Sequence, residues 1–320
     1  MRSGPLQTIL RVLGPAEVSD ALDFESLIEA LRQVLRSGGG MPAEQVYPIP
    51  LLGGEAGKLF VTPAWQTGRH IGVKILTSFP AQEKTAASLG TYVLLDAKTG
   101  RPLIIMDGPM LTQRRTAAAS ALAAKYLARP DAARLLMVGT GSLASHLIEA
   151  HATVRPIKTV TVWGRDHVKA RKLAQRLDRR SLTVTAAPDL ADAVHNADII
   201  CCATAAAEPL IKGHWLMLGT HLDLVGGMTP EMREVDDAVI KRVRVFVDTR
   251  EGTLQQAGDI VQPIKSGALH EDDIAGDLFE LTRGSRAGRR YYDQITLFKS
   301  VGIGLEDLAA AQLALERATT

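Results

Sequence analysis

The stretch RLLMVGTGSLASHLIEAHATV, residues 134–154, contains an apolar run, a glycine turn and a helical segment in that order. Its turn has the pattern G-x-G-x-x-A, in which Gly139 permits a tight turn, Gly141 lets a pyrophosphate approach the backbone and Ala144 allows close helix packing. The helix N-terminus then faces the phosphates. An ordinary glycine turn is the alternative, but the strand, turn and helix context favours dinucleotide binding. The residues expected to bind the dinucleotide are Gly139, Thr140, Gly141, Ser142, Leu143 and Ala144.

Strand-like apolar runs alternate with helix-length segments through the chain after residue 130. Such alternation predicts a parallel sheet whose two faces are both covered by helices. The fold class expected for this part is therefore α/β, with a Rossmann doubly wound parallel sheet. The strand-like runs are residues 134–138, 159–163, 182–185, 198–203, 221–225 and 243–247.

The first third of the chain has a different pattern. A strand-like run over residues 8–13 is followed by residues 17–35, whose apolar positions recur at helical spacing. Short β-rich segments come next, and together they predict a smaller α+β domain. An alanine-rich helix over residues 112–127 then joins the two domains. The helical tail, residues 300–318, could pack on either of them. The β-rich segments are residues 58–62, 70–76, 91–96 and 103–106.

The composition excludes several classes of protein. The chain has 320 residues, of which 46% are apolar and 22% charged, so it can bury a core and is not disordered. Its 37 basic and 35 acidic residues nearly cancel, so we expect a small-molecule partner and no nucleic acid. No apolar run is long enough to span a membrane and no targeting signal is visible, which predicts a cytoplasmic protein.

Cysteine and histidine usage predicts neither disulfides nor a metal site. The two cysteines, Cys201 and Cys202, are adjacent within an apolar run and cannot form a disulfide framework or a zinc site. The eight histidines are scattered and have no H-x-x-x-H or H-E-x-x-H spacing.

The end of the second predicted strand bears on cofactor choice. Gly164 stands where sites selective for NAD usually carry an acidic residue that binds the ribose hydroxyls. The next residue, Arg165, is placed to meet a 2′-phosphate, and a hydrogen bond to a charged group contributes ~1.5–3 kcal/mol. NADP(H) is therefore expected over NAD(H), which stays possible. A one-residue shift would instead give the acidic role to Asp166 and leave Arg165 in solvent.

Several longer phrases of the sequence resemble the ornithine cyclodeaminase/mu-crystallin family. The matching phrases run through nearly the whole chain, and two of them, RTAAASA and FKSVG, are distinctive. They are LLDAKTGRPLIIMDG (94–108), LTQRRTAAASALAAKYLAR (111–129), PIKTVTVWGR (156–165), DIICCAT (198–204), LVGG (224–227) and ITLFKSVGIGLEDLAA (295–310).

The resemblance implies both an organisation and a reaction. It implies that residues 1–115, completed by residues 300–320, form a substrate-binding and dimerisation domain. The NAD(P)-binding Rossmann domain, residues 116–299, is inserted in it, and the protein is a homodimer. It implies an NAD(P)H-dependent oxidoreductase that reduces a cyclic ketimine or imino acid, in reverse an amino-acid dehydrogenase. Ornithine cyclodeaminase, and a low-turnover NADPH-binding protein like mu-crystallin, are the alternatives, because fold alone does not choose the reaction.

Residue by residue, the resemblance assigns roles to five further positions. Lys74, in GVKIL, matches the lysine of the family's site, and an ammonium near an imine can polarise it or donate a proton. Arg115 matches an arginine that holds the substrate carboxylate, for which a guanidinium offers bidentate geometry. These two are the expected catalytic residues. Positions that line the cofactor and its nicotinamide are matched by Thr204, Val225 and Lys299.

The sequence departs from the family's cyclodeaminases after the fifth predicted strand of the Rossmann domain. Those enzymes carry an aspartate followed four residues later by a lysine, and Met228 and Met232 stand at these positions here. Cyclodeamination needs a base to free the side-chain amine of the substrate, and a thioether cannot accept that proton. Met228 thus argues against cyclodeaminase activity, and it is expected to contact the substrate.

A second departure lies in the first domain. Where the family has an arginine in a P-P-R phrase, this chain reads Pro42-Ala43-Glu44. Glu44 would repel a substrate carboxylate, so the substrate is expected to have one carboxylate held by Arg115 alone, or a cationic group near Glu44. A shifted alignment of this loop is the alternative, in which another arginine supplies the charge.

Overall fold

Two sheets, one mostly antiparallel and one parallel, organise the part of the chain that the computed structural model describes, residues 10–51, 56–79 and 89–319. Each sheet belongs to its own unit. The first unit comprises the chain up to Arg115 together with Gly304–Thr320. The second unit comprises Thr116–Ile303.

The sheet of the first unit brings residues distant in sequence onto one face. Its described strands are β1 (Arg11–Leu13), β2 (Gln45–Ile49), β3 (Gly57–Gln66), β4 (His70–Ser78), β5 (Leu89–Asp96) and β6 (Pro102–Asp107). They lie in the order β1-β6-β5-β4-β3-β2, with β1 parallel to β6 and the other neighbours antiparallel. Thr62, Lys74 and Tyr92 are opposite one another across β3, β4 and β5. Their side chains therefore share one face.

The first helical segment of the chain is two helices, α1 (Pro15–Ala21) and α2 (Phe24–Ser37). The prediction of one helix over residues 17–35 is therefore wrong. Asp23 ends the continuity, because its side chain accepts a hydrogen bond of 3.0 Å from the backbone of Ser26 and caps the second helix. The amphipathic pattern continued across the break, which is why periodicity alone did not reveal it.

The sheet of the second unit is fully parallel among its described strands. They are β7 (Arg134–Val138), β8 (Thr159–Trp163), β9 (Thr183–Ala186), β10 (Ile199–Cys202), β11 (His221–Leu224), β12 (Arg244–Val247), β13 (Gly276–Asp277) and β14 (Thr296–Lys299). Their order is β13-β12-β14-β11-β10-β7-β8-β9. The chain reverses direction across the sheet between β7 and β10, and ligands of such sheets bind at the carboxyl ends of the strands beside that point.

Helices connect these strands and close the chain. They are α3 (Gly108–Leu127), α4 (Leu143–Val154), α5 (His167–Leu177), α6 (Leu190–His195), α7 (Asp237–Ile240), α8 (Arg250–Gln256), α9 (Gly258–Ser266), α10 (Leu278–Arg283) and α11 (Gly304–Thr319). The helical tail, whose packing the sequence left open, is α11 and belongs to the first unit. No helix among the described residues is both long and apolar enough to cross a membrane.

Strand β14 is the largest departure from the predicted sheet. It lies between β11 and β12, in the interior of the sheet, although it is the last strand in the sequence. The run is only Thr296–Lys299, and its sequence separation from β12 gave no local reason to place it there. Its four residues are nevertheless all buried, as an interior strand requires.

Three polar side chains are buried together in the core around this sheet. His151 of α4 and Cys201 of β10 each lie 3.1 Å from the same carboxylate oxygen of Asp223 in β11. Among the described residues these three could hold a metal ion, since their ligand atoms lie within 4.8 Å of one another. Hydrogen bonds from histidine and thiol to the carboxylate already account for the arrangement. Burial by itself raises the pKa of Asp223, but the bonds from His151 and Cys201 outweigh burial and lower it.

His221, on the same strand, makes the second unit sensitive to acid. Burial lowers the pKa of His221 from 6.5 to about 3, so the unfolded chain takes up this proton at a higher pH than the folded protein. Its contribution to stability is present above about pH 6.5 and is lost as the pH falls toward 3. When the pH falls from about 6.5 to about 4.5, the free energy of unfolding decreases in both proteins. We expect the decrease to be about 2 kcal/mol smaller in His221→Asn than in wild type.

Urea unfolding followed by circular dichroism at a series of pH values measures this difference. His195→Asn, at an exposed position of α6, is the matched control and should keep the pH dependence of wild type. An equally steep loss of stability in His221→Asn would show that other groups cause the acid sensitivity.

Candidate cofactor and substrate sites

The turn after β7 has the geometry that a dinucleotide requires. Gly139 adopts a φ of 124°, and a Cβ at this position would lie 2.5 Å from the carbonyl oxygen of Ala203. Only glycine fits such a backbone without strain. Its N–H donates to the carbonyl of Trp163 at 2.9 Å, which joins the turn to the end of β8.

The next turn residues open toward α4. A Cβ on Gly141 would meet no atom within 4 Å, so its backbone faces open space that an approaching pyrophosphate can use. Ser142 is the N-cap of α4, while Ala144 is buried against the sheet. Donors at this helix N-terminus would hold the phosphates. The residues present therefore fit a dinucleotide.

A cleft of about 880 Å³ lies over this turn in the second unit. Several predicted residues line it: Gly139, Thr140, Gly141, Gly164, Arg165, Asp166 and Thr204. Others line it without having been predicted: Trp163, Lys169, Ala203, Ala205, Ala206, Ala207, Glu208 and Leu210. The remaining predicted cofactor residues are outside the lining: Ser142, Leu143, Ala144, Val225 and Lys299.

The end of β8 places two cations at the cleft. The carboxylate of Asp166 accepts hydrogen bonds from the backbone of Val168 at 2.9 Å and of Lys169 at 3.1 Å, so it caps α5. Arg165 and Lys169 line the cleft beside it. Lys169 lies in the first turn of α5, four residues after Arg165. It was not predicted, because the start of α5 was not located from the sequence.

Thr204 and Lys299 are held by buried groups of the second unit. Both the backbone N–H and the hydroxyl of Thr204 donate to one oxygen of Glu234 at 2.8 Å. The ammonium of Lys299 is wholly buried and donates to the carbonyls of Leu224 and Gly226. Through these two carbonyls Lys299 holds the start of the loop after β11 in place. No motif of the sequence predicts Glu234, since it lies in a loop with no characteristic spacing.

Lys74 lies in a buried ion network of the first unit. Its side chain is 8% exposed, and its ammonium donates to the carboxylate of Asp307 at 2.8 Å. Asp307 belongs to α11, which follows Lys74 by more than two hundred residues in the chain. A buried ammonium held by one carboxylate is a group that can deliver a proton to a nearby nitrogen.

Arg115 shares this network. Its guanidinium donates to Glu306 at 2.8 Å and lies 2.9 Å from the other oxygen of Asp307, so the carboxylate of Asp307 joins Arg115 to Lys74. The positive charges of two cations are thereby balanced by two carboxylates in a buried position. Each charge has a partner, which offsets the cost of removing it from water. Glu306 and Asp307 were not predicted, although the acidic pair lies near the end of the ITLFKSVGIGLEDLAA phrase.

Tyr92 and Thr62 flank Lys74 on the neighbouring strands. Burial raises the pKa of Tyr92 well above its ordinary value, and the charge of Asp307 raises it further, so Tyr92 stays neutral. Glu44 is exposed and accepts a hydrogen bond of 2.7 Å from the hydroxyl of Thr62. The predicted residue Glu44 is therefore connected through one hydroxyl to the strand position beside Lys74.

Met228 lies in the second unit, in the loop that follows β11, directly after Gly226 and Gly227. Met228 is 47% exposed and therefore accessible to a ligand. A thioether is at most a weak acceptor and does not titrate as a base. The loop accordingly presents an apolar group where a cyclodeaminase-like sequence would present a carboxylate.

Several known proteins are similar to this chain over nearly its whole length. A curated relative, Δ1-pyrroline-2-carboxylate reductase of Colwellia psychrerythraea, is 38% identical over 314 residues, 96% of this chain and 99% of the relative. The solved structure of Thermococcus litoralis Δ1-pyrroline-2-carboxylate reductase with NADH and L-proline matches with a TM-score of 0.90 at 30% identity. That match covers 97% of this chain and 98% of the other. An archaeal alanine dehydrogenase dimer with bound NAD matches with a TM-score of 0.88 at 26% identity, over 97% and 96% of the two chains.

These matches agree with the fold built from the residues. The predicted α/β class with a Rossmann sheet is confirmed by the parallel sheet and by its structural neighbours. The sequence profile of the ornithine cyclodeaminase/mu-crystallin family covers residues 15–320. The chain therefore belongs to the ornithine cyclodeaminase/mu-crystallin family.

Proposed function

We propose that this protein is an NAD(P)H-dependent reductase of α-imino acids, with cyclic ketimine carboxylates such as Δ1-pyrroline-2-carboxylate as its substrate class. The observation that carries the proposal is the buried network of Lys74, Arg115, Glu306 and Asp307. The similarity to Δ1-pyrroline-2-carboxylate reductases supports it.

The charges of this network suit such a substrate. Its two cations balance its two carboxylates, so an added ligand should itself be neutral overall. An imino acid with an ionised carboxylate and a protonated imine nitrogen meets that requirement. Its carboxylate pairs with Arg115, whose planar guanidinium is fixed by Glu306. When the imine carbon gains hydride, the nitrogen becomes a neutral amine and takes a proton from Lys74, which Asp307 holds in place.

The nicotinamide cofactor, when bound, supplies the hydride that reduces the imine carbon. The protein's part is to hold cofactor and substrate and to supply the proton. The residues that would hold the cofactor are Gly139, Thr140, Gly141, Gly164, Arg165, Lys169 and Thr204.

We propose that NADP(H) is preferred. Asp166 is engaged as the cap of α5, which disfavours the acidic role that a one-residue shift would give it. Arg165 and Lys169 both line the cleft and supply positive charge there. A 2′-phosphate binds such a pair of cations, whereas a bare ribose hydroxyl gains little from them.

Replacing Arg165 by alanine tests this preference. We expect about tenfold to hundredfold weaker NADPH binding, the loss of a hydrogen bond to a charged group, and NADH binding within about twofold of wild type. Fluorescence titration of both reduced cofactors gives the two affinities. Arg171→Ala, at an exposed position of α5 outside the cleft lining, is the matched control. An equal loss for both cofactors would contradict a role in phosphate recognition.

The exposed thioether of Met228 disfavours ornithine cyclodeamination in this chain. That reaction requires the substrate's second amine to be deprotonated before it attacks the imine, and Met228 cannot accept the proton. The reductase needs no such base, so the same substitution leaves imine reduction intact.

We propose a homodimer located in the cytoplasm. The first unit exposes large apolar side chains on and near its strands, which a second copy would cover. Both cysteines are free and buried, in keeping with a reducing compartment. The exposed apolar residues of this unit are Leu10, Val12, Val46, Tyr47, Leu51, Trp65 and Leu89.

A substrate panel tests the reaction itself. NADPH and NADH absorbance is followed in parallel while the protein is offered five- and six-membered cyclic ketimine carboxylates, pyruvate with ammonia, and L-ornithine. We expect NADPH to be consumed with a cyclic ketimine carboxylate and proline formation from L-ornithine to be absent. Tight cofactor binding without turnover of any imino acid would instead favour a binding protein.

A further inference from the structure

Thr204, which lines the cofactor cleft, is fixed by a single carboxylate oxygen. Oε1 of Glu234 accepts both the backbone N–H and the hydroxyl of Thr204 at 2.8 Å. The Thr204 hydroxyl is in turn 3.3 Å from the backbone N–H of Ala206, a further lining residue. The position of this part of the cleft wall therefore depends on Glu234.

Glu234 and Asp259, which together form a carboxyl cluster, lie against the loop after β11. The backbone of Gly226 packs so closely on Oε1 of Glu234 that a side chain there would overlap it. A Cβ on Gly227 would lie 2.6 Å from Oδ2 of Asp259. Asp259 also accepts the backbone N–H of Glu234 at 2.8 Å through its other oxygen. Glu234 thus stands where the loops after β10 and β11 meet, at the carboxyl ends of the strands.

The second oxygen of Glu234 leaves room for a proton. Oε2 is buried and has no hydrogen-bond partner among the described residues. A proton on Oε2 would leave Oε1 free to accept both bonds from Thr204, so the position of Thr204 is the same in either protonation state. What changes with protonation is the charge behind the cleft wall, by one unit.

The groups that face Glu234 determine the pH at which its carboxyl group loses this proton. Burial and the carboxylate of Asp259 raise the pKa of Glu234 to about 7, while Lys299 and the hydrogen bonds from Thr204 oppose the rise. Further titratable groups that face these residues are Asp248 beyond β12, which interacts with Lys299, Arg233, which interacts with Asp259, and the thiols of Cys201 and Cys202 in β10. Burial raises the pKa of both thiols, so they stay neutral.

We propose that Glu234 is a positioning residue that also sets the charge of the cofactor cleft, so that its ionised form favours the oxidised over the reduced cofactor. This inference rests on the proposed nicotinamide cofactor. The oxidised nicotinamide carries one positive charge that the reduced ring lacks, and a buried negative charge at the strand ends stabilises it selectively. The affinity for NADP⁺ relative to NADPH therefore rises with pH.

Glu234→Gln separates the two roles, because its amide oxygen can still accept from Thr204 but cannot ionise. Calorimetric titration with NADP⁺ and with NADPH at about pH 6 and about pH 8 gives the ratio of the two dissociation constants. In wild type we expect this ratio to shift about fivefold toward NADP⁺ between the two pH values, on either side of the pKa of Glu234. In Glu234→Gln the ratio should be the same at both.

A second variant distinguishes charge from position. Thr204→Val removes the hydroxyl donor and keeps Glu234, so we expect both cofactors to bind more weakly while the shift of the ratio with pH persists. A ratio in wild type that does not change with pH, or one that shifts equally in Glu234→Gln, would overturn the inference. Should Glu234→Gln fail to fold, a wild-type ratio that does not change with pH still overturns the inference. A wild-type protein that binds neither cofactor would overturn the proposed function instead.

Discussion

Lys74→Met is expected to lower kcat/KM for imino-acid reduction by about a thousandfold, the range for loss of a general acid. The variant keeps a side chain of similar length but has no proton to give to the substrate nitrogen. NADPH affinity should stay within about twofold of wild type, because Lys74 belongs to the first unit and the residues of the cofactor cleft belong to the second. Steady-state kinetics and a cofactor titration measure the two effects separately.

The ion pair supplies the control for this variant. Lys74→Met leaves the buried carboxylate of Asp307 without one of its cations, which costs about 3–5 kcal/mol. Adding Asp307→Asn removes the uncompensated charge and keeps an oxygen toward Arg115, so thermal stability should return. Activity should not return, since the proton donor is still missing. Recovery of turnover in the double variant would show that Lys74 serves the fold and not the reaction.

The cofactor cleft could be predicted because its determinants are local in sequence. Gly139, Gly141 and Ala144 lie within one turn, and the strand before them and the helix after them supply the context that gives the motif meaning. Arg165 follows the next strand by the same local rule. Each of these positions depends on backbone geometry within a few residues, which the pattern of glycines and apolar runs encodes directly.

The partners of the substrate residues could not be predicted in the same way. Asp307 meets Lys74 only because α11 returns to the sheet of the first unit from the far end of the chain. No spacing rule connects a lysine in a strand to an acidic pair so distant in sequence. Strand β14 was missed for a similar reason, since its place between β11 and β12 depends on tertiary packing and not on its own residues.

A resemblance also locates a residue without showing how it acts. Lys299 and Val225 match family positions that line the cofactor, yet both are buried here and are outside the lining of the cleft. The contacts of Lys299 with the carbonyls of Leu224 and Gly226 show that it supports the loop that carries Met228. Glu234, which no pattern indicated, instead holds a lining residue directly.

Gly141→Ala is expected to abolish most cofactor binding without harming the fold. A methyl group at this position meets no protein atom within 4 Å, so the melting temperature of the protein without cofactor should match that of wild type. The same methyl group occupies the space through which the pyrophosphate approaches the backbone. We expect roughly a hundredfold weaker NADPH binding, about 2.8 kcal/mol. Differential scanning fluorimetry and NADPH fluorescence titration measure the two quantities.

Gly139→Ala is the matched comparison two residues earlier in the turn. Its backbone φ of 124° disfavours any side chain, and the new Cβ would lie 2.5 Å from the carbonyl oxygen of Ala203. This variant should therefore lose stability, by about 1–3 kcal/mol for the backbone strain, as well as cofactor affinity. The pair thus separates a glycine required by the fold from one required by the ligand. If Gly141→Ala bound NADPH as tightly as wild type, the pyrophosphate would not lie against this turn.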